Sequence, residues 1–319
     1  MKVKTQTRTL LYVTNTDSND ISVVDNSERV ELKKIPVGES PRGAVKFDPR
    51  AKFGYVSNCA GNTISVIDLD ANKEVAKIEV GLAPRGIALS IDGNVAYVSN
   101  SGSNDLSVVD LINRKEIDRI AMGGNPRHMA LFNDNLLLVS EWGSDSIAVI
   151  DISNNKTLLS NKTIPLAKDS RPYSLNIAKK LKMGLVANTQ SDDLSIIDLS
   201  TLTETDRVKV GFGGRAVAIA EDEKFAYVTV ENTNEIVVVD LTTKEAVHRI
   251  DVGPSPRGIA IDFNRNEIYS SNFTRSTPKV GSRNSISIVD ITNPLEAKFS
   301  GEVIVGLGPC SVSLLTKIN

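Results

Sequence analysis

An alternating apolar strand that ends in aspartate recurs seven times along the chain. The copies are Ile21 to Asp25, Ile64 to Asp68, Leu106 to Asp110, Ile147 to Asp151, Leu194 to Asp198, Ile236 to Asp240 and Ile286 to Asp290. The aspartates are 43, 42, 41, 47, 42 and 50 residues apart. A second strand precedes each copy, as in Tyr12-Val13-Thr14-Asn15, Tyr55 to Asn58, Tyr97 to Asn100, Leu138 to Glu141, Leu185 to Asn188, Tyr227 to Val230 and Tyr269 to Asn272. A third strand closes on pairs such as Val37-Gly38, Val80-Gly81 and Val252-Gly253, and a Pro-Arg-Gly-like turn leads into a fourth. Period-2 alternation broken by Gly, Pro, Asn and Asp means antiparallel strands joined by tight turns. Four strands per repeat at this period fit one propeller blade, and radial closure protects sheet edges that an open stack would expose.

The predicted fold is all-β: a single seven-bladed β-propeller domain over 1–319, each blade a four-stranded antiparallel sheet. The chain starts in the second strand of a blade and ends in a first strand, so the C-terminal innermost strand is expected to pair with three N-terminal strands. The expected blades are about 10–38 plus 309–317, then 42–81, 85–123, 127–167, 171–211, 215–253 and 257–306. Small residues in the first strands, as in Gly86-Ile87-Ala88 and Gly258-Ile259-Ala260, suit a crowded axis.

Composition removes other classes. The 319 residues are 24% charged with a formal net charge of -2, and the longest apolar runs, such as Leu136 to Val139, fall far short of the 18 to 20 residues of a spanning helix. No membrane insertion is expected. No apolar block follows the basic residues of Met1 to Thr9, so the sequence as it stands reads as cytoplasmic, or as exported if a signal was removed. Cys59 and Cys310 are too few for a disulfide framework. His128 and His248 lie far apart, which argues against a multi-histidine metal site or haem ligation, and no metal or cofactor is expected.

The recurring Tyr-Val-Ser/Thr-Asn strand, the Ile-Ser-Val-Val/Ile-Asp strand, the Val-Gly end and the Pro-Arg-Gly turn resemble the YVTN-repeat β-propeller family over nearly the whole chain. That resemblance implies the fold and leaves activity open: relatives include surface-layer proteins, exported propellers linked to nucleic acid, and more distant redox and lactonase-like domains. Fold does not fix function.

A residue repeated in every blade is first read as scaffold. The strand-ending aspartates suit Asx turns, and Asn15, Asn58, Asn100, Asn188 and Asn272 suit turn closure. The turn arginines Arg42, Arg85, Arg127, Arg171, Arg215 and Arg257 fill six of seven equivalent turns, with Cys310 in the seventh. All are expected around the upper mouth of the channel. Guanidinium groups about 7 Å apart repel by about 2 kcal/mol at an effective dielectric of 20, so unpaired convergence is untenable. Either each arginine turns sideways to a neighbouring blade, or several share an anion.

Departures from the repeat mark the candidate site. His128 and Tyr173 replace the Gly after Arg, Glu141-Trp142 replaces a strand-ending Asn, and Val230-Glu231 replaces it again. A longer loop, Phe273 to Asn284, adds Arg275, Lys279 and Arg283. His248, on an outer strand, reads as a surface residue. Two functions compete. A binding module would hold a small anionic molecule or a partner protein through the six arginines, Trp142, Glu231 and Cys310. An enzyme, a lyase, isomerase or hydrolase on a carboxylated substrate, would use His128 or Glu141 as acid-base, with Tyr173 auxiliary. Binding is favoured, because no nucleophile motif, phosphate loop or cofactor fingerprint is present. Nucleic-acid phosphate binding ranks below both small molecule and protein, since aromatics are few and no long basic stripe exists. The oligomeric state stays open.

Overall fold

A computed structural model describes residues 7–133, 135–153, 158–273 and 277–318. Among these residues, 28 strands form seven four-stranded antiparallel sheets. From innermost to outermost strand, the first sheet is β28 (Pro309–Ile318), β1 (Thr7–Asn15), β2 (Asp20–Asp25) and β3 (Val30–Pro36). The second is β4 (Pro41–Phe47), β5 (Phe53–Asn58), β6 (Thr63–Asp68) and β7 (Lys73–Glu79). The third is β8 (Pro84–Leu89), β9 (Val95–Asn100), β10 (Asp105–Asp110) and β11 (Lys115–Ala121). The fourth is β12 (Pro126–Asn133), β13 (Leu136–Glu141), β14 (Ser146–Asp151) and β15 (Leu158–Pro165). The fifth is β16 (Pro172–Ala178), β17 (Met183–Asn188), β18 (Asp193–Asp198) and β19 (Thr203–Lys209). The sixth is β20 (Gly214–Ile219), β21 (Phe225–Val230), β22 (Glu235–Asp240) and β23 (Glu245–Asp251). The seventh is β24 (Pro256–Asp262), β25 (Glu267–Asn272), β26 (Ser285–Asp290) and β27 (Lys298–Ile304). Among the described residues no helix is long and apolar enough to cross a membrane.

Each innermost strand packs beside the next, and β28 lies between β24 and β4. Strand β28 pairs with β1 from Thr7 opposite Ile318 to Thr14 opposite Ser311. The core fills the seams between blades. Leu185, Ile196 and Val208 of the fifth blade, for example, meet Val217, Val228 and Val237 of the sixth. This follows from alternation, which gives every middle strand an apolar row on each face.

The repeated polar residues build the frame. Asp68 accepts from the backbone N–H of Asp70 and Ala71, and Asp240 does the same for Thr242 and Thr243, so the strand ends are Asx turns. Asn58 donates its amide to Thr63 and Ser65, and Asn100 to Asp105 and Ser107, tying the second strand to the third. In four blades the hydroxyl one residue before the end of the second strand reaches the carbonyl of the second residue in the adjacent innermost strand, as from Ser57 to Arg85. Ser99 Oγ donates to the Arg127 carbonyl at 2.6 Å, Ser140 to Tyr173 at 2.8 Å and Thr229 to Arg257 at 2.9 Å. The backbone beneath the mouth is therefore pinned blade to blade.

Candidate functional site

Register along the innermost strands fixes which residues share a level. The second position holds Arg42, Arg85, Arg127, Tyr173, Arg215, Arg257 and Cys310 in chain order. Arg171 is not among them, which corrects the six-arginine ring read from sequence. The fifth blade reads Arg171-Pro172-Tyr173 where the others read proline first, and it is Pro172 that starts the strand, as Pro41, Pro84 and Pro126 start theirs. Arg171 takes the preceding left-handed station, φ 53°, the place of Ser40 at 54°, Ala83 at 51° and Asn125 at 56°. A proline cannot adopt that angle, so the reversed dipeptide moves the arginine outward and puts a phenol in the ring. The residue that replaces glycine in this blade is Ser174, not Tyr173. The level therefore holds five cations and two weak acids, each acid flanked by two arginines around the ring.

Above that level stands the residue that follows each second strand: Thr16, Cys59, Ser101, Trp142, Thr189, Glu231 and Phe273. Trp142 donates its indole N–H to Thr189 Oγ1 at 3.0 Å, and Arg127 and Arg171 sit 5.1 and 4.9 Å from its ring centroid. Arg171 also donates to the Trp142 and Gly143 carbonyls. Arg215 stacks at 4.7 Å over Tyr173, and Arg257 at 3.9 Å over Phe273. Cation–π packing thus sets how the guanidinium groups lie.

Charge is compensated on one side only. Glu231 forms ion pairs with both Arg215 and Arg257, at 2.8 Å to Arg257 Nη2. Burial opposes the Glu231 charge, but the two arginines hold its pKa below the ordinary value, and Arg257 is raised against its own burial by Cys310 and Glu231 beside it. Arg42, Arg85 and Arg127 form no ion pair with a carboxylate among the described residues. Arg85 Nε reaches only Ser101 Oγ, at 3.2 Å, and the Nε atoms of Arg42 and Arg127 are buried without a partner. Burial, reinforced by Arg85, pulls Arg127 down to about 10. Burial pushes the Tyr173 phenol and the Cys310 thiol upward, yet the surrounding arginines outweigh it and both are lowered.

Two cavities meet at this level. A mouth cavity of about 330 Å³ is lined by Arg42, Arg85, Arg127, Trp142, Tyr173, Thr189, Gln190, Phe212, Gly213, Arg215, Asn232 and Arg257. Below it a channel cavity of about 450 Å³ runs along the innermost strands past His128, Lys46 and mostly apolar side chains, and it shares Tyr173, Arg215 and Arg257 with the mouth. Cys310 lines the channel, while Arg171 and Glu231 stand behind the mouth wall.

The pair proposed from sequence as acid and base is separated by the frame. His128 lines the channel, and burial, aided by Lys46, lowers its pKa to about 3, so the ring is neutral. Glu141 lines neither cavity. Its Oε1 accepts the Gly123 N–H at 2.7 Å and its Oε2 the Ser146 hydroxyl at 2.7 Å. In the first, second, third and seventh blades a serine accepts the equivalent glycine N–H, as Ser107 does from Gly81 and Ser287 from Gly253. In the fourth blade Ala148 stands at that serine's place, and the longer carboxylate bridges the gap. A Cβ on Gly123 would meet Glu141 Oε1 at 2.6 Å, so a side chain there would have to displace the carboxylate. In the sixth blade both members change together, to Val230 and Val237, which join the core.

Of the loop cations, Lys279 and Arg283 do not line the mouth. Lys279 pairs with Glu235 and Asp251, Arg283 is exposed, and Arg275 lies outside the described residues. His248 is partly buried on β23, its Nε2 2.8 Å from the Ala297 carbonyl oxygen. Cys59 is partly buried and lines neither cavity. Among the described residues no group of three or more His, Cys, Asp or Glu is placed to hold a metal. Sequence reasoning missed Lys46. The repeat signals it: pairing sets Lys46 opposite Tyr55, at the level of Ala88, Ala130, Asn176, Ala218, Ala260 and Ser313, where it is the one charged residue. Blade two carries one extra residue before it, at a bulge between Arg42 and Lys46, which hides the equivalence in a linear reading.

Comparison with known proteins agrees with the architecture. Residues 128–265 match the family model described as YNCE-like beta-propeller, and residues 5–109 match that of the Cytochrome D1 heme domain. No curated protein matches the sequence. Among solved structures, the Pseudomonas aeruginosa periplasmic gluconolactonase is 14% identical with a TM-score of 0.82, covering 98% of this chain and 100% of that one. A putative 6-phosphogluconolactonase from Bacteroides fragilis gives 14%, 0.82, 99% and 100%. Hydrazine synthase of Kuenenia stuttgartiensis gives 18%, 0.74, 86% and 95%. At these identities the likeness is one of fold. The haem that one family model names does not fit the mouth. Among the described residues no histidine lines the mouth to serve as an axial ligand, and His128 lies in the channel beneath the arginines. The chain is thus similar, over a central stretch, to the YNCE-like propellers and, as a whole fold, to seven-bladed propellers of diverse activity.

Proposed function

We propose that the mouth captures a small anion, carboxylate or phosphate, between Arg42, Arg85 and Arg127. The observation that carries this is the imbalance of charge around one cavity: Glu231 pairs with Arg215 and Arg257, while the three arginines opposite pair with no carboxylate among the described residues. Partly buried guanidinium groups without counter-charge are costly, and a bound anion offsets that cost with charge-assisted hydrogen bonds. Tyr173 and Cys310 complete the ring as hydrogen-bond partners. A nucleic acid suits the mouth less well, because Trp142 is engaged by Arg127 and Arg171 and Tyr173 by Arg127 and Arg215, which leaves only the exposed Phe212 among the described lining rings for a base to stack on.

Titration calorimetry with inorganic phosphate tests the proposal. Binding that weakens at least tenfold in Arg127→Met and in Arg42→Met, with unchanged circular dichroism, supports it. Equal phosphate affinity in both variants removes it.

A second reading, hydrolysis of a lactone to a carboxylate, draws on the names of two fold neighbours and on the lowered phenol of Tyr173 between Arg127 and Arg215. It requires that Tyr173→Phe abolish turnover of a sugar lactone while phosphate binding persists.

A further inference from the structure

Below the arginine level the channel is lined by polar groups that the anion-binding mouth does not use, among them Lys46, His128 and, exposed, Lys179. Lys46 projects from β4 into the channel cavity, and among the described residues it has no hydrogen bond or ion pair. Enclosure by protein disfavours its charge and lowers its pKa. His128, one level higher, has its Nδ1 buried with no partner. Unsatisfied polar groups are rare inside proteins, and the unpartnered His128 nitrogen shares its cavity with the partly exposed ammonium of Lys46.

Apart from Ser174 and Ser311, level with His128, the wall between Lys46 and the mouth is largely apolar. Ile87, Met129, Leu175, Val217 and Ile259 line the channel wall. From Arg127 to Ala130, the residue level with Lys46, the strand advances three residues, about 10 Å. The two cavities are joined at Tyr173, Arg215 and Arg257. A cationic mouth, an apolar wall and a second cation at depth match one shape of molecule.

We infer that the ligand is a linear diacid: one acid group is held at Arg42, Arg85 and Arg127, an aliphatic chain lies along the channel wall, and the second acid group pairs with Lys46 beside His128. This rests on the mouth being an anion site and specifies what that site takes. Lys46 then acts as a length gauge. A short anion fills the mouth alone, whereas a chain long enough to reach the ammonium gains a second ion pair and buries its methylenes.

Calorimetry with α,ω-dicarboxylates from succinate to sebacate, each against the monocarboxylate of equal length, tests this on the intact protein. The expected result is a step in affinity, at least tenfold over the matched monocarboxylate, once the chain bridges the two levels. Lys46→Met should abolish that step and keep phosphate affinity within twofold of wild type, and Lys46→Arg should restore part of it. A dicarboxylate series without a step, or a step that survives in Lys46→Met, overturns the inference while phosphate binding at the mouth stands. Phosphate affinity indifferent to Arg127→Met, together with a Lys46-dependent step, would instead overturn the mouth reading and the bridging geometry with it.

Discussion

Glu231 accepts from Arg257 through both Nε, at 3.2 Å, and Nη2, at 2.8 Å, and Arg257 is only 5% exposed. The carboxylate belongs to the sixth blade and the guanidinium to the seventh, so the contact fastens one blade to the next while cancelling charge at the mouth. Removing one partner of a buried pair leaves the other uncompensated. Glu231→Gln is expected to cost about 3 kcal/mol in urea unfolding at pH 7. The folded pKa of Glu231 lies below its ordinary 4.5, so its stabilisation is complete above that pH and is lost as pH falls through the lowered value. The deficit of the variant relative to wild type should therefore shrink below pH 4.5.

The Gly123 N–H bond makes Glu141 a frame residue. Glu141→Ala is expected to destabilise by about 1–3 kcal/mol, since it strands a backbone donor and the Ser146 hydroxyl. The double change Glu141→Asn with Ala148→Ser rebuilds the station of the neighbouring blades. Its cost should be at least about 1 kcal/mol less than the sum of the two single changes.

His128 stays neutral in the folded protein to about pH 3, whereas in the unfolded chain it takes a proton near 6.5. Its folded pKa is depressed, so the stability it permits is present above 6.5 and declines as pH falls toward 3. The decline is about 1.4 kcal/mol per pH unit. Between pH 6.5 and 5, above most carboxylate titrations, wild type should lose about 2 kcal/mol that His128→Gln does not lose.

Lys46 is expected to cost stability when nothing is bound. Lys46→Met removes the enclosed charge and keeps most of the volume, so the ligand-free variant should melt above wild type, by about 1 kcal/mol of added stability. A lower melting temperature would show that Lys46 has a structural partner.

The blades were legible in the sequence because each one repeats a chemical task. Asp68 makes an Asx turn, Asn58 ties two strands, and Ser99 pins the next blade, so the same letters recur wherever the same bond is needed. The site was legible only in part, because its residues are defined by exact register. Arg171 and Tyr173 were misplaced by one position, as a reversed Arg-Pro looks equivalent in a string but not on a backbone where proline fixes φ. Glu141 broke the pattern for an internal reason, a paired change with Ala148, which no single position discloses. Lys46 went unnoticed behind one bulged residue, although its level in the other blades carries only small side chains or Asn176.

The most direct test of the charge imbalance at the mouth is a crystal soaked in selenate and measured at the selenium edge. An anomalous peak within hydrogen-bond distance of Arg42, Arg85 and Arg127, lost in crystals of Arg127→Met, is the expected result. Selenate sites confined to the outer surface, with an empty mouth between those three arginines, would contradict anion capture there.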